Sequence, residues 1–228
     1  MTPHSRIEWR PSYRIVSSRF PPIGVFDDVA AAEDLDALFK IEGMTNQRLR
    51  EELGAIQLVP AERRIVGPGT TPIMAAFTHV NPEGSRFSNG SYGVYYAALD
   101  QRTAVEETVH HRAIFLTSTR EVPCIVEMRC YLADVAGDVD DIRGEFPELH
   151  DPDSYVASQR WAFERRAGGS NGIVYDSVRY PGGQCAAVFY PDLVSPVRQG
   201  PHLYYHWDGT KITHAAVTSD IIFPTVTS

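Results

Sequence analysis

Val122-Pro-Cys-Ile-Val-Glu-Met-Arg-Cys-Tyr-Leu132 alternates along its length: Cys124, Val126, Met128, Cys130 and Leu132 fall on one side, Glu127 and Arg129 on the other. Successive side chains of an extended chain point to opposite faces, so this period of two predicts a half-buried antiparallel strand. Downstream, Ser154 is placed to cap a helix that runs through Trp161 and Phe163 and stops at Gly168 and Gly169. Strands are then expected at 173–178, 185–190, 202–207 and 211–216, the last two joined by the tight-turn pair Asp208-Gly209. Upstream, Asp100 precedes a helix over 102–113 with Val105, Val109 and Arg112 on one side, and a strand is expected around 93–98. Residues 67–93, rich in Gly, Pro, Thr, Ser and Asn, read as a long irregular connection.

Nearer the start, Asp27 or Asp28 is placed to cap a helix carrying Leu35, Leu38 and Phe39, and Thr45 another that ends near Gly54. Residues 9–25, interrupted by Pro11, Pro21 and Pro22, read as an extended arm leading into the fold. Helices and antiparallel strands in mixed order, without a regular βαβ rhythm, predict an α+β fold with a bent or split, mainly antiparallel sheet and flanking helices. A single domain over 1–228 is expected, with 1–66 an N-terminal arm plus helices and 67–228 the core.

Composition narrows the function classes. The chain is 43% hydrophobic and 22% charged, as a folded globular protein is. A net charge of -8 without a basic stripe excludes sequence-independent nucleic-acid binding. The longest apolar run, 185–190, is far short of the ~20 residues of a membrane span, and no apolar block follows Arg6, Arg10, Arg14 and Arg19, so neither a span nor a secretory signal is expected. Three cysteines, Cys124, Cys130 and Cys185, argue against a disulfide framework and for a reducing, cytoplasmic setting. Residues 134–153 hold eight acids against Arg143 and read as a solvated acidic loop. They do not make a calcium loop: with Asp138 and Asp140 at positions one and three, Ile142, Arg143 and Leu149 fall where a ligand, a glycine and the bidentate glutamate belong.

Several residues carry candidate chemistry. Arg86 lies in the glycine-flanked stretch Gly84-Ser-Arg-Phe-Ser-Asn-Gly90, where a planar guanidinium can grip two oxygens of a pyrophosphate, although a loop arginine is more often simply solvated. Tyr95 and Tyr96 point to opposite sides of their strand, so only one can face a cleft. Glu106 and Glu107 are about 100° apart on their helix and cannot share a role. A carboxylate aimed at a ribose stabilises the cation that develops when a glycosidic bond breaks. Glu107-Thr-Val-His110 fits a carboxylate-bridged metal pattern, but no second copy exists, so His110 and His111 read as surface residues or partners of the glutamates one turn back. No metal site is expected. Cys185 opens an apolar strand and reads as a buried structural thiol rather than a nucleophile. Ser177 lacks the hydrolase elbow, and with Arg179 it sits at a strand end beside the turn Pro181-Gly-Gly-Gln-Cys185.

Taken in order, these segments resemble the RES-domain toxins, named for an arginine, a glutamate and a serine, which are the poison halves of bacterial toxin–antitoxin pairs. Gly84-Ser-Arg-Phe looks like the family's Gly-Gly-Arg-Trp segment, Val94-Tyr-Tyr-Ala its tyrosine strand, Thr103-Ala-Val-Glu-Glu-Thr108 its glutamate helix and Tyr175-Asp-Ser-Val-Arg179 its serine segment. The similarity extends from about Tyr13 to Pro196. Phe87 stands where tryptophan is usual and Ser88 where asparagine is usual, and the doublet Glu106-Glu107 leaves the glutamate open by one position, with the spacing from Arg86 favouring Glu107.

The resemblance implies a fold similar to diphtheria-toxin-like ADP-ribosyltransferases and consumption of NAD as substrate, without a metal. It carries catalytic roles onto Arg86, Tyr96 and Glu107, and NAD contacts onto Arg86, Tyr96, Ser177 and Arg179. The implied partners are a cognate antitoxin of DNA-binding type and a cytoplasmic protein acceptor for ADP-ribose. The rival expectations are an NAD glycohydrolase or phosphorylase without a protein acceptor, a non-catalytic nucleotide-binding protein, and a cysteine hydrolase using Cys185.

Overall fold

The computed structural model describes residues 2–18, 26, 27, 35 and 54–217. Within them the order is β1 (His4–Ser17), α1 (Thr71–Thr78), β2 (Tyr95–Ala98), α2 (Gln101–Ser118), β3 (Cys124–Asp141), α3 (Val156–Ala167), β4 (Gly172–Asp176), β5 (Gln184–Val188), β6 (Arg198–Trp207) and β7 (Ile212–Val217). Short 3-10 turns link several of them. This is the expected α+β fold with a bent, mainly antiparallel sheet.

The bend has a visible origin. β3 carries β1 along one edge from Met128 to Asp140, while its other edge serves β6 at Cys124–Leu132 and β4 at Asp140 and Asp141. β1 in turn meets β2 at Tyr13–Ala98, and β2, β5 and β4 pair in sequence. The five strands β1, β2, β5, β4 and β3 therefore close on themselves, and β6 with β7 extends outward from β3. All these pairings are antiparallel except β3 with β4, the two strands that α3 connects.

Apart from Asp176 and Gln184 at their ends, the short strands β2, β4 and β5 carry no polar or charged residue, because both faces are covered. Ile173, Tyr175, Cys185 and Ala187 pack into one core cluster, and Val174, Ala186 and Val188 into the other. In β2, Tyr95 and Ala97 join the cluster beneath α1, whereas Tyr96 and Ala98 join the cluster beneath α2 and α3.

Four expectations are corrected. Residues 9–17 of the segment read as an arm belong to β1, a central strand, and 19–25 lie outside the described residues; Pro11 sits within the register shift between Trp9 and Ser12, where its missing N–H costs no ladder bond. The stretch 67–93 contains α1, which opens with Thr71-Pro72 and takes a distant cap: Asp27 Oδ1 accepts from Thr70 N at 3.1 Å and from Thr71 N at 2.8 Å. Asp27 thus caps α1, while the rest of its expected helix, apart from Leu35, and the Thr45 helix lie outside the described residues. The acidic segment is not simply a solvated loop, since β3 continues through Asp134, Asp138, Asp140 and Asp141. Asp140 is fully buried, receiving Arg165 Nη2 at 2.6 Å and Nε at 2.9 Å in a two-pronged pair. Finally, Ser154 does not cap α3; its own N–H donates to Asp151 Oδ1 at 3.0 Å, and Tyr155 occupies the cap position.

Candidate active site

α2 begins directly after β2 because Asp100 caps it: Oδ1 accepts from Thr103 N at 2.9 Å and Oδ2 from Thr103 Oγ1 at 2.6 Å. That first turn lies hard against the turn between β4 and β5. A Cβ on Gly183 would stand 2.4 Å from Thr103 Oγ1, so a residue without a side chain is needed there. This close approach brings α2 to the end of β4.

One turn further along α2, Glu107 meets Ser177. The Ser177 hydroxyl donates to Glu107 Oε1 at 2.6 Å, and its oxygen accepts from Arg179 N at 3.2 Å and Tyr180 N at 3.0 Å. A hydroxyl has one proton and two lone pairs, so these three bonds use its full capacity. Ser177 is 8% exposed. The neighbouring Glu106 turns away and accepts from Arg102 Nε at 2.7 Å one turn back.

Arg86 is not solvated, and its loop is pinned. It is 7% exposed, its Nη1 donates to Leu149 O at 3.2 Å and Asp151 O at 2.9 Å, and its guanidinium lies over the Tyr155 ring at 4.6 Å. The backbone around it is held as well. Ser158 Oγ donates to Arg86 O at 2.7 Å, and Gln159 Nε2 to Ser85 O at 3.0 Å, so α3 fixes the loop from behind. Arg179 reaches the same acidic stretch, donating to Pro152 O. The 149–152 backbone thus draws two arginines together.

Tyr96 holds the loop from below. Its hydroxyl accepts from Phe87 N at 2.9 Å and shares a 2.8 Å bond with Ser85 Oγ, one contact on each side of Arg86. Burial pushes its pKa up to about 12, against the opposing pull of those hydrogen bonds and of Arg86. Tyr95 faces the other cluster, where Arg14 lies over its ring at 4.6 Å and donates Nη1 to Tyr96 O at 2.9 Å.

Arg86 and Glu107 both act on the buried Tyr175 and Cys185, which places the two charges around one region. Burial and then Arg179 hold the pKa values of His110 and His111 below the ordinary 6.5; His111 also feels Arg86 next, and in His110 the nearby Glu107 opposes the shift. Burial, followed by Glu107, pushes the Cys185 thiol well up, which makes it a poor nucleophile. The structure therefore brings Arg86, Tyr96, Glu107, Ser177 and Arg179 together, with His110 and His111 on the helix that carries Glu107. Sequence reasoning missed Tyr155, whose ring supports Arg86. It carries no motif, and its contact with Arg86 spans nearly seventy residues of chain.

What the site can do follows from its charges: two guanidiniums and a carboxylate act on the same neighbouring groups. This suits a ligand with anionic groups at one end and a developing positive charge at the other.

The chain is 33% identical over 208 residues to the uncharacterized protein y4oC of Sinorhizobium fredii (strain NBRC 101917 / NGR234), covering 88% of this chain and 84% of that protein. Among solved structures it is similar to a chain in the crystal structure of the M. tuberculosis MbcT–MbcA toxin–antitoxin complex, with a TM-score of 0.46 and 14% identity over 90% of this chain and 87% of that one. The RES domain model matches residues 61–208, a span that holds Arg86, Tyr96, Glu107, Ser177 and Arg179. The chain belongs to the RES-domain family.

Proposed function

We propose that this protein is the toxin of a bacterial toxin–antitoxin pair, and that it cleaves the nicotinamide–ribose bond of NAD and transfers ADP-ribose to a protein acceptor. The observation that carries this reading is the 2.6 Å bond from Ser177 Oγ to Glu107 Oε1, which fixes a carboxylate whose charge, like that of Arg86, acts on Tyr175 and Cys185. In the proposed reaction the bond between ribose C1′ and the nicotinamide nitrogen breaks, and nicotinamide leaves with the electron pair. Glu107 stabilises the ribosyl cation that develops. A nucleophilic lone pair of the acceptor then forms the new bond to C1′ and gives up its proton. Arg86, with Nη1 committed to Leu149 and Asp151, and Arg179 face the pyrophosphate, and the ring of Tyr96 lines the nicotinamide end.

The cognate partner is a DNA-binding antitoxin, and the working compartment is the cytoplasm. Among the described residues no helix is long and apolar enough to cross a membrane.

A second reading, NAD glycohydrolase or phosphorylase, is favoured by one finding. β1, which lies in the N-terminal segment expected at 1–66, completes the closed set of strands and so is not free to dock a protein substrate. Incubation with NAD labelled in its adenylate half and a bacterial lysate separates the two. A discrete labelled protein band supports transfer. Free ADP-ribose or its phosphate, with no labelled protein, overturns transfer in favour of the second reading.

A further inference from the structure

The outer hairpin carries a feature that the proposed reaction does not use. His206 on β6 and His214 on β7 stand directly opposite each other in the ladder, with ring centroids 4.1 Å apart and planes within 15°. His214 is exposed and His206 half-buried, so solvent reaches the pair.

The hairpin also fixes one ring chemically. The register shifts between His206 and Trp207, whose partners are His214 and Ile212, so Thr213 is the extra residue. Its hydroxyl donates to His206 O at 3.2 Å and lies 3.0 Å from His214 Nδ1. When the single hydroxyl proton goes to His206 O, a carbonyl that only accepts, Nδ1 of His214 is the donor to Thr213. In that arrangement the proton of a neutral His214 sits on Nδ1, which leaves Nε2 with a bare lone pair. A hydrogen bond that sets the tautomer and orientation of an imidazole is what supports a metal-binding histidine from behind.

We propose that His206 and His214 form a two-imidazole site for a divalent transition-metal ion of the zinc class, with Thr213 as its positioning residue. Two nitrogens each about 2.0–2.1 Å from one tetrahedral zinc ion lie about 3.4 Å apart, within reach of rings whose centroids are 4.1 Å apart but whose near-parallel planes now aim their lone pairs side by side. Tilting the rings toward each other makes the site, with no change in strand pairing. Water fills the remaining positions, since among the described residues no group of three or more His, Cys, Asp or Glu side chains is placed to hold a metal. Such a site is open and exchangeable, unlike a closed structural one.

The test is calorimetric titration of the full chain with zinc chloride in chelator-free buffer, with the imidazole resonances followed by NMR. Wild type is expected to bind one equivalent, with the His206 and His214 resonances shifting together. His214→Ala should abolish that event. Thr213→Val, which keeps both imidazoles, should weaken it by about 10–100-fold. His202→Ala, on the same strand but outside the pair, should bind as wild type does. Zinc binding that survives in both His206→Ala and His214→Ala, or resonance shifts confined to other histidines, would overturn the proposal.

Discussion

Ser177 donates its only hydroxyl proton to Glu107, joining the end of β4 to the second turn of α2 across a 2.6 Å bond. Because the same oxygen already accepts from two backbone N–H groups, we propose that the serine acts on bound NAD through the carboxylate. Ser177→Ala should therefore lower kcat while leaving KM for NAD nearly unchanged. Hydrogen bonds to charged groups are worth about 1.5–3 kcal/mol, so the expected loss is roughly 10–100-fold. A variant in which KM rises and kcat holds would make Ser177 a substrate contact instead.

Arg86→Lys replaces a two-pronged donor by a point charge. Steady-state kinetics should show a large rise in KM for NAD. Thermal unfolding should shift down as well, because the lysine cannot reproduce both carbonyl contacts and the stacking on Tyr155. An unchanged KM with a lowered melting temperature would leave Arg86 a structural clamp only.

Asp140→Ala removes one half of a buried ion pair from the end of β3. Breaking such a pair costs about 3–5 kcal/mol, and the lower end is expected because Arg165 is partly exposed and regains water. Urea denaturation measures the loss, and a change within experimental error of zero would mean that the pair contributes nothing net.

The histidines beside the site predict a pH dependence. His110 and His111 have folded pKa values below the ordinary 6.5, so around and below that value the unfolded chain binds more protons than the folded one. Their contribution to stability is complete above the unfolded pKa and is lost as pH falls through it toward the folded values. The melting temperature should drop between about pH 7.5 and about pH 5.5, and a His110→Gln, His111→Gln double variant should show a shallower drop. Equal slopes in the two proteins would place the acid sensitivity elsewhere.

The parts of this structure that were legible in the sequence are those set by local pattern. Alternation in Val94-Tyr-Tyr-Ala separates Tyr95 from Tyr96, and the structure puts them in different core clusters. Asp100 before Thr103, and Asp208-Gly209 between two apolar runs, mark a helix start and a hairpin that are both present. What was not legible depends on partners remote in the chain. Prolines masked β1, because only the pairing with β3 reveals that Pro11 falls in a register shift. The Thr71-Pro72 helix start was lost in a glycine-rich stretch, and its cap comes from Asp27 more than forty residues away. Asp140 looked solvated for the same reason: its arginine sits on a different element. At the site, residue types gave the candidates, but that the Ser177 hydroxyl is fully engaged follows only from the turn that folds Arg179 and Tyr180 back onto it.

The most direct test of the central claim is nicotinamide release from NAD by purified protein, compared across wild type, Glu107→Gln and Glu106→Gln. The Glu107 amide keeps the shape of the side chain but loses the charge facing the ribosyl cation, and removal of one such group costs on the order of a hundredfold or more in rate. Wild type and Glu106→Gln should release nicotinamide at similar rates, since Glu106 is turned toward Arg102, and Glu107→Gln should be nearly inactive with its fold intact. Full turnover in Glu107→Gln, or no nicotinamide from the wild-type protein, would contradict the account.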